Sequence, residues 1–189
     1  IRVAGDDTAA VIDMADEYNN VITIANGDWG LHSKSPYIFR RTELTAPTAM
    51  PYRARTGELG KLWNQINIAP EDQPILLAVA VDALIQPDTP KPVLCFLAEH
   101  GSAKSTTAKR LVSLIDPSSV PLRAAPRDQQ QWLTAATGSR VVAIDNLSTM
   151  PQWLSDSICR ASTGEGDVRR ALYTDDSLSV TTFKRSIIL

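Results

Sequence analysis

The chain has 189 residues, 43% of them apolar and 21% charged, the balance of a globular protein with a core and not of a disordered or collagen-like chain. Nineteen Lys and Arg against 21 Asp and Glu leave a net charge of -2, so no overall positive field draws it onto a polyanion and any nucleic-acid contact is local. Cys95 and Cys159, each within an apolar stretch, exclude a disulfide scaffold and predict buried free thiols in a reducing compartment.

No apolar run approaches the roughly 18 residues of a membrane span, and no signal-peptide pattern opens the chain. A soluble, cytoplasmic protein without a membrane partner is expected. The chain opens on Ile1 and stops within the apolar run Ser186-Ile187-Ile188-Leu189, which reads as an excerpt of a longer protein.

In the first forty residues β-type runs alternate with turn signals: Ala10-Val11-Ile12-Asp13-Met14, then Val21-Ile22-Thr23-Ile24, then Asn26-Gly27-Asp28 before Trp29. A small β-meander is predicted, and residues 1–55 form a β-rich N-terminal segment. Residues 56–92 read as a helical lead-in and linker. A helix starts near Thr56 or Glu58, and a second, over residues 71–85, is apolar nearly all round and so is expected to be buried between layers. Three prolines in residues 86–92 mark a stiff break. After it strand and helix alternate: strand 93–97, helix 104–115, a short run 120–123, helix 127–136, strand 140–144 and helix 152–162. Such alternation predicts an α/β fold with a mostly parallel sheet and flanking helices, whose ligands sit at the carboxyl ends of strands.

The apolar strand at Val93 runs into Glu99-His100-Gly101-Ser102-Ala103-Lys104-Ser105-Thr106, which looks like a P-loop. A triphosphate needs converging backbone N–H groups, a helix N-terminus, a cation near its β and γ phosphates and a hydroxyl for Mg²⁺. Glu99 to Thr106 supply the loop, Lys104 the cation and Ser105 the hydroxyl. Ala98 and Ala103 stand at both glycine positions of the strict pattern, and an alanine forced into a left-handed backbone costs about 1 to 2 kcal/mol. The competing reading is a plain strand-to-helix turn with a solvated Lys104.

Val141-Val142-Ala143-Ile144-Asp145 is a strand ending in an acid, the form in which a carboxylate is offered to a magnesium shell. The predicted metal set is therefore Ser105 and Asp145. Asn146 follows where many ATPases place a water-polarising Glu, and an amide cannot accept that proton. It orients the water or senses the γ-phosphate, with Asp156 nearby as another base, or it simply caps a turn.

Together with residues 163–176 and Phe183-Lys184-Arg185, these blocks make residues 70–189 resemble the AAA+ ATPase module of phage and plasmid primase-helicases, related to superfamily-three helicases. The resemblance implies a P-loop NTPase core over residues 93–189, truncated at its C-terminal end. It also implies ATP and Mg²⁺ as cofactors, with Lys104, Asp145 and Asn146 as the catalytic group. It further implies a homo-oligomeric ring, and a hairpin whose Arg169, Arg170 and Lys184 grip single-stranded or forked DNA in the full-length protein. A salt-bridged hairpin is the competing reading, because Glu165, Asp167, Asp175 and Asp176 nearly cancel those charges.

The expected function is thus an ATP-binding and hydrolysing helicase motor for replication. Its rivals are a nucleotide-dependent binding switch with weak hydrolysis, motivated by Ala98, Ala103 and Asn146, and a degenerate structural module. His32 and His100 are the only histidines, and no zinc-ligand spacing accompanies them.

Overall fold

The computed structural model describes residues 2–53, 58–85, 88–99, 101–164, 167–170 and 178–189, with backbone alone for 167–170 and 178–181. At the N-terminus β1 (Val3–Gly5), β2 (Ala9–Asp13), β3 (Val21–Ala25) and β4 (Asp28–His32) form an antiparallel sheet in that order. The meander read from the turn signals is present. Asn26 and Gly27 link β3 to β4, both with positive φ (53° and 75°), as a two-residue type I′ hairpin turn requires. β2 is buried on both faces, through Val11 and Ile12 among others, and Met14 and Val21 beside it are buried too.

Then follow α1 (Leu59–Trp63), a 3₁₀ turn at Pro70–Asp72 and α2 (Gln73–Ile85). The expectation that α2 is buried all round is not met. Leu76, Ala80 and Ala83 are buried, but Ile75 is 60% and Val81 42% exposed. Its neighbours, β1, β2 and α3, leave its outer side open.

The remainder is β5 (Val93–Leu94), α3 (Lys104–Ile115), α4 (Gln129–Thr137), β6 (Val141–Ala143), α5 (Gln152–Thr163), β7 (Asp167–Arg170), β8 (Leu178–Thr181) and β9 (Ser186–Ile188). β7 and β8 make an antiparallel hairpin, and β5, β9 and β6 a parallel sheet in that order. Leu111, Val112 and Ile115 of α3 pack with α2, Val141 and Ile188. Trp132 and Ala136 of α4 and Leu154, Ile158 and Ala161 of α5 pack with Val142 and Ile187. Consecutive side chains of a strand point to opposite faces, so β6 and β9 each feed both apolar clusters, while β5 adds Leu94 to the first alone.

The expected P-loop NTPase core, AAA+-like with a mostly parallel sheet, is not what the chain builds. Among the described residues the larger sheet is the antiparallel one, and the parallel sheet has three strands of two or three residues each. Two physical reasons account for this. The strand expected over residues 93–97 ends at Leu94, with Cys95 exposed and Leu97 88% exposed. The run at 120–123 contributes only a single bridge, Arg123 to Ile144. The thiol expectation also fails: Cys95 and Cys159 are both exposed.

A buried ion pair ties the N-terminal sheet to the rest. Arg2, 3% exposed, donates Nε–H to Asp116 Oδ1 at 3.1 Å. Its other N–H groups reach the carbonyls of Asp13, Ala46 and Pro117 and the Thr48 hydroxyl. The second Asp116 oxygen accepts the main-chain N–H groups of Arg140 (2.7 Å) and Val141 (3.1 Å).

Candidate functional site

A cleft of about 980 Å³ opens beyond the carboxyl ends of β5, β9 and β6, where Cys95, Leu189 and Ile144 enter its lining. One wall is the loop 101–106 and the start of α3, and the facing wall is Asp145, Asn146 and Leu147. Gly101 (φ 82°) and Ala103 (φ 63°, ψ 22°) are both left-handed, which curls the loop into the first turn of α3. Ala103 therefore carries the strain of a Cβ in that region; Ala98, the other alanine in question, has no positive φ. No side chain caps α3, so its first N–H groups remain available to an anion.

Ser105 stands in the first turn of α3 and donates its hydroxyl to Asp145 Oδ1 at 2.9 Å. Asp145 is set by the backbone: its N–H donates to Arg123 O (2.8 Å), and Arg123 N–H donates to Ala143 O (3.0 Å). This bridge holds the residue beyond β6 at a fixed height over the helix. Asn146 adopts φ 57°, a region that asparagine tolerates better than most side chains. The Lys104 ammonium donates to the carbonyls of Ala98 (2.5 Å) and Glu99 (2.7 Å), so the loop's own oxygens hold it where an incoming anion must compete.

The cleft thus gathers Gly101, Ser102, Ala103, Lys104, Ser105, Thr106, Asp145 and Asn146. Glu99 contributes its carbonyl to Lys104 but not to the lining. His100 lies outside the described residues, as do the side chains of Arg169 and Arg170. Lys184 is elsewhere, its ammonium on the carbonyl of Asp88. Asp156, the alternative base, is exposed on α5, accepts a hydrogen bond from Gln152 and does not line the cleft. One bracing residue gave no signal in the sequence. Asn67, from the segment before α2, donates Nδ2–H to Ser102 O at 3.0 Å and its main-chain N–H to Thr107 Oγ1 at 3.3 Å. It clamps the loop from outside.

Residues 59–189 match the model of the actinomycete integrative conjugative element replication protein family. The chain belongs to this family. The match runs from the first residue of α1 to the last of the chain, so it includes the cleft, its brace Asn67 and the hairpin, while the antiparallel sheet precedes it. Membership places the integrative-element replication protein in DNA replication, which is the part of the primase-helicase resemblance that the comparison supports. Neither a curated protein nor a solved structure matches the chain. No helix among the described residues is long and apolar enough to cross a membrane.

Proposed function

We propose that the cleft binds a nucleoside triphosphate with Mg²⁺, ATP in the first instance, and that binding switches the replication protein's action on DNA. The observation that carries this reading is the Ser105–Asp145 contact of 2.9 Å between the first turn of α3 and the residue beyond β6. It puts a hydroxyl and a carboxylate, the oxygen donors that Mg²⁺ prefers, beside an uncapped helix N-terminus and a lysine. The residues fit the group: Ser105 and Asp145 would hold the metal, and Lys104 and the N–H groups of residues 101–106 the phosphates. Mg²⁺ would neutralise phosphate charge there. The reading depends on this local arrangement and not on any particular sheet architecture.

A switch is favoured over a motor by one feature of the lining. Asp145 is the sole carboxylate among the described residues of the cleft, and it is engaged with Ser105. Asn146 beside it has no proton-accepting oxygen of carboxylate basicity. The ATP-hydrolysing helicase reading requires a base that no described residue of this cleft provides.

Equilibrium titration of the full chain with a fluorescent ATP analogue in Mg²⁺ tests the binding. Saturable binding, weakened at least tenfold by Lys104→Ala, supports it; no binding at millimolar nucleotide leaves only a structural module. Single-turnover phosphate release with single-stranded DNA then separates switch from motor.

A further inference from the structure

Lys104, Ser105, Asp145 and the loop N–H groups account for one end of the cleft of about 980 Å³. Much of the remaining lining is apolar and comes in two tiers. The first is half-buried and backed by the core: Phe96 and Leu122 pack against the cluster of α2 and α3, and Leu147 and Leu189 against the cluster of α4 and α5. The second stands in water. Leu97 is 88% and Met150 41% exposed, and both line the same cleft. Single exposed apolar side chains are ordinary on a protein surface, whereas several that line one concave space mark a binding surface.

The sheet fixes part of this apolar wall. Phe96 N–H donates to Leu189 O at 2.9 Å and Leu189 N–H to Leu94 O at 2.8 Å, so the sheet already uses these main-chain groups. The polar side chains of the lining divide by position. Ser102, Lys104, Ser105 and Thr106 belong to the loop and the first turn of α3, and Asp145 and Asn146 face them. Away from that end, the described lining offers the Cys95 thiol and the hydroxyls of Ser148 and Thr149. A hydroxyl rotates to donate or to accept as its neighbour requires, and a thiol does both weakly. None of these has the fixed donor and acceptor pattern of an amide, carboxylate or guanidinium that reads the edge of a base.

We propose that the apolar part of the cleft seats the base of a purine nucleoside triphosphate by its flat faces without reading its edge, so that ATP and GTP are accepted alike. The inference rests on the reading of this cleft as a nucleotide site: with Lys104 and the start of α3 holding the phosphates, the nucleoside falls to the rest of the lining. Adenine and guanine share a two-ring apolar surface and differ in their exocyclic groups. Telling them apart takes a buried polar group that one base satisfies and the other leaves unpaired. A purine covers more apolar area than a pyrimidine, and apolar burial favours it in proportion.

Displacement of the fluorescent ATP analogue from the full chain in Mg²⁺ tests this, with ATP, GTP, CTP and inorganic tripolyphosphate as competitors. Tripolyphosphate carries phosphates and no nucleoside. It competes more than about tenfold more weakly than ATP, while GTP stays within about fivefold of ATP and CTP falls about threefold or more below both. Leu97→Ser and Met150→Ser alter exposed positions; thermal melts establish that they fold, and either folded variant suffices. Each weakens ATP and GTP about fivefold and leaves tripolyphosphate unchanged. Four results overturn the proposal while leaving phosphate binding by the loop intact: tripolyphosphate within about tenfold of ATP, GTP and ATP more than about fivefold apart, CTP as tight as the purines, or ATP affinity unchanged in the folded variants. Failure of wild type to bind the analogue or tripolyphosphate at all removes the nucleotide reading itself, and this inference with it.

Discussion

Ser105 and Asp145 are forty positions apart in the chain, yet the hydroxyl of one donates to the carboxylate of the other at 2.9 Å. Neither residue could be placed there by its own element. α3 brings Ser105 to the mouth of the parallel sheet, and the Arg123–Ala143 and Asp145–Arg123 main-chain bonds hold Asp145 opposite.

The left-handed backbone of Ala103 gives the first prediction. Ala103→Gly removes the Cβ strain, about 1 to 2 kcal/mol, against a Gly entropy cost of about 0.5 to 1 kcal/mol. A net gain of up to about 1.5 kcal/mol is expected, or a Tm higher by up to about 3 to 6 °C, measured by circular dichroism. Ala103→Val lowers Tm instead.

Asn67 is predicted to be a positioning residue for the loop. Asn67→Ala deletes the bond to Ser102 O and costs about 1 kcal/mol of stability. Because the main-chain bond to Thr107 survives, the larger effect falls on the nucleotide: affinity for the fluorescent ATP analogue drops about fivefold. Asn67→Gln restores less than half of it.

These two residues also show what the sequence makes legible. The bounds of α3 and the Asn26-Gly27 turn follow from local chemistry, a small-residue loop before a helical pattern and a dipeptide suited to positive φ. Ala103 could be flagged as a strain candidate because it stands at a glycine position. Asn67 could not, since its partners Ser102 and Thr107 are 35 and 40 residues away. Arg2, Lys91, Arg140 and Arg185 were equally invisible: sequence reasoning sends cations to solvent, and their burial depends on carbonyls and carboxylates of remote segments. The cysteines failed for the converse reason. Cys95 lies in an apolar run, but it follows a two-residue edge strand and is left exposed.

Asp116 is predicted to be the costliest single carboxylate to remove. Asp116→Ala leaves Arg2 buried without its ion pair and deprives the N–H groups of Arg140 and Val141 of their acceptor. Breaking such a buried pair costs about 3 to 5 kcal/mol, read as a fall in the urea midpoint. A loss below about 1 kcal/mol would show that the N-terminal sheet does not depend on this tie.

Acid should loosen the same sheet through Asp13. Burial on its own pushes this carboxyl up, but the bonds from Arg41 (2.9 and 2.6 Å) and from Ala15 N–H (3.0 Å), with the charges of Arg41 and Arg2, outweigh it. The folded-state pKa is held below the ordinary 3.8. A depressed carboxylate contributes stability that is complete above its unfolded pKa and is lost as pH falls through the folded one. Melts recorded from about pH 6 to about pH 2 should therefore show a steeper acid limb in wild type than in Asp13→Asn.

The most direct test is the Mg²⁺ dependence of ATP affinity, compared between wild type and Asp145→Asn by calorimetry. Adding Mg²⁺ should tighten wild-type binding at least tenfold, and the amide variant should bind metal-free ATP as well as wild type yet gain nothing from the metal. Identical metal responses in the two proteins would contradict the role given to Asp145, Ser105 and the cleft between them.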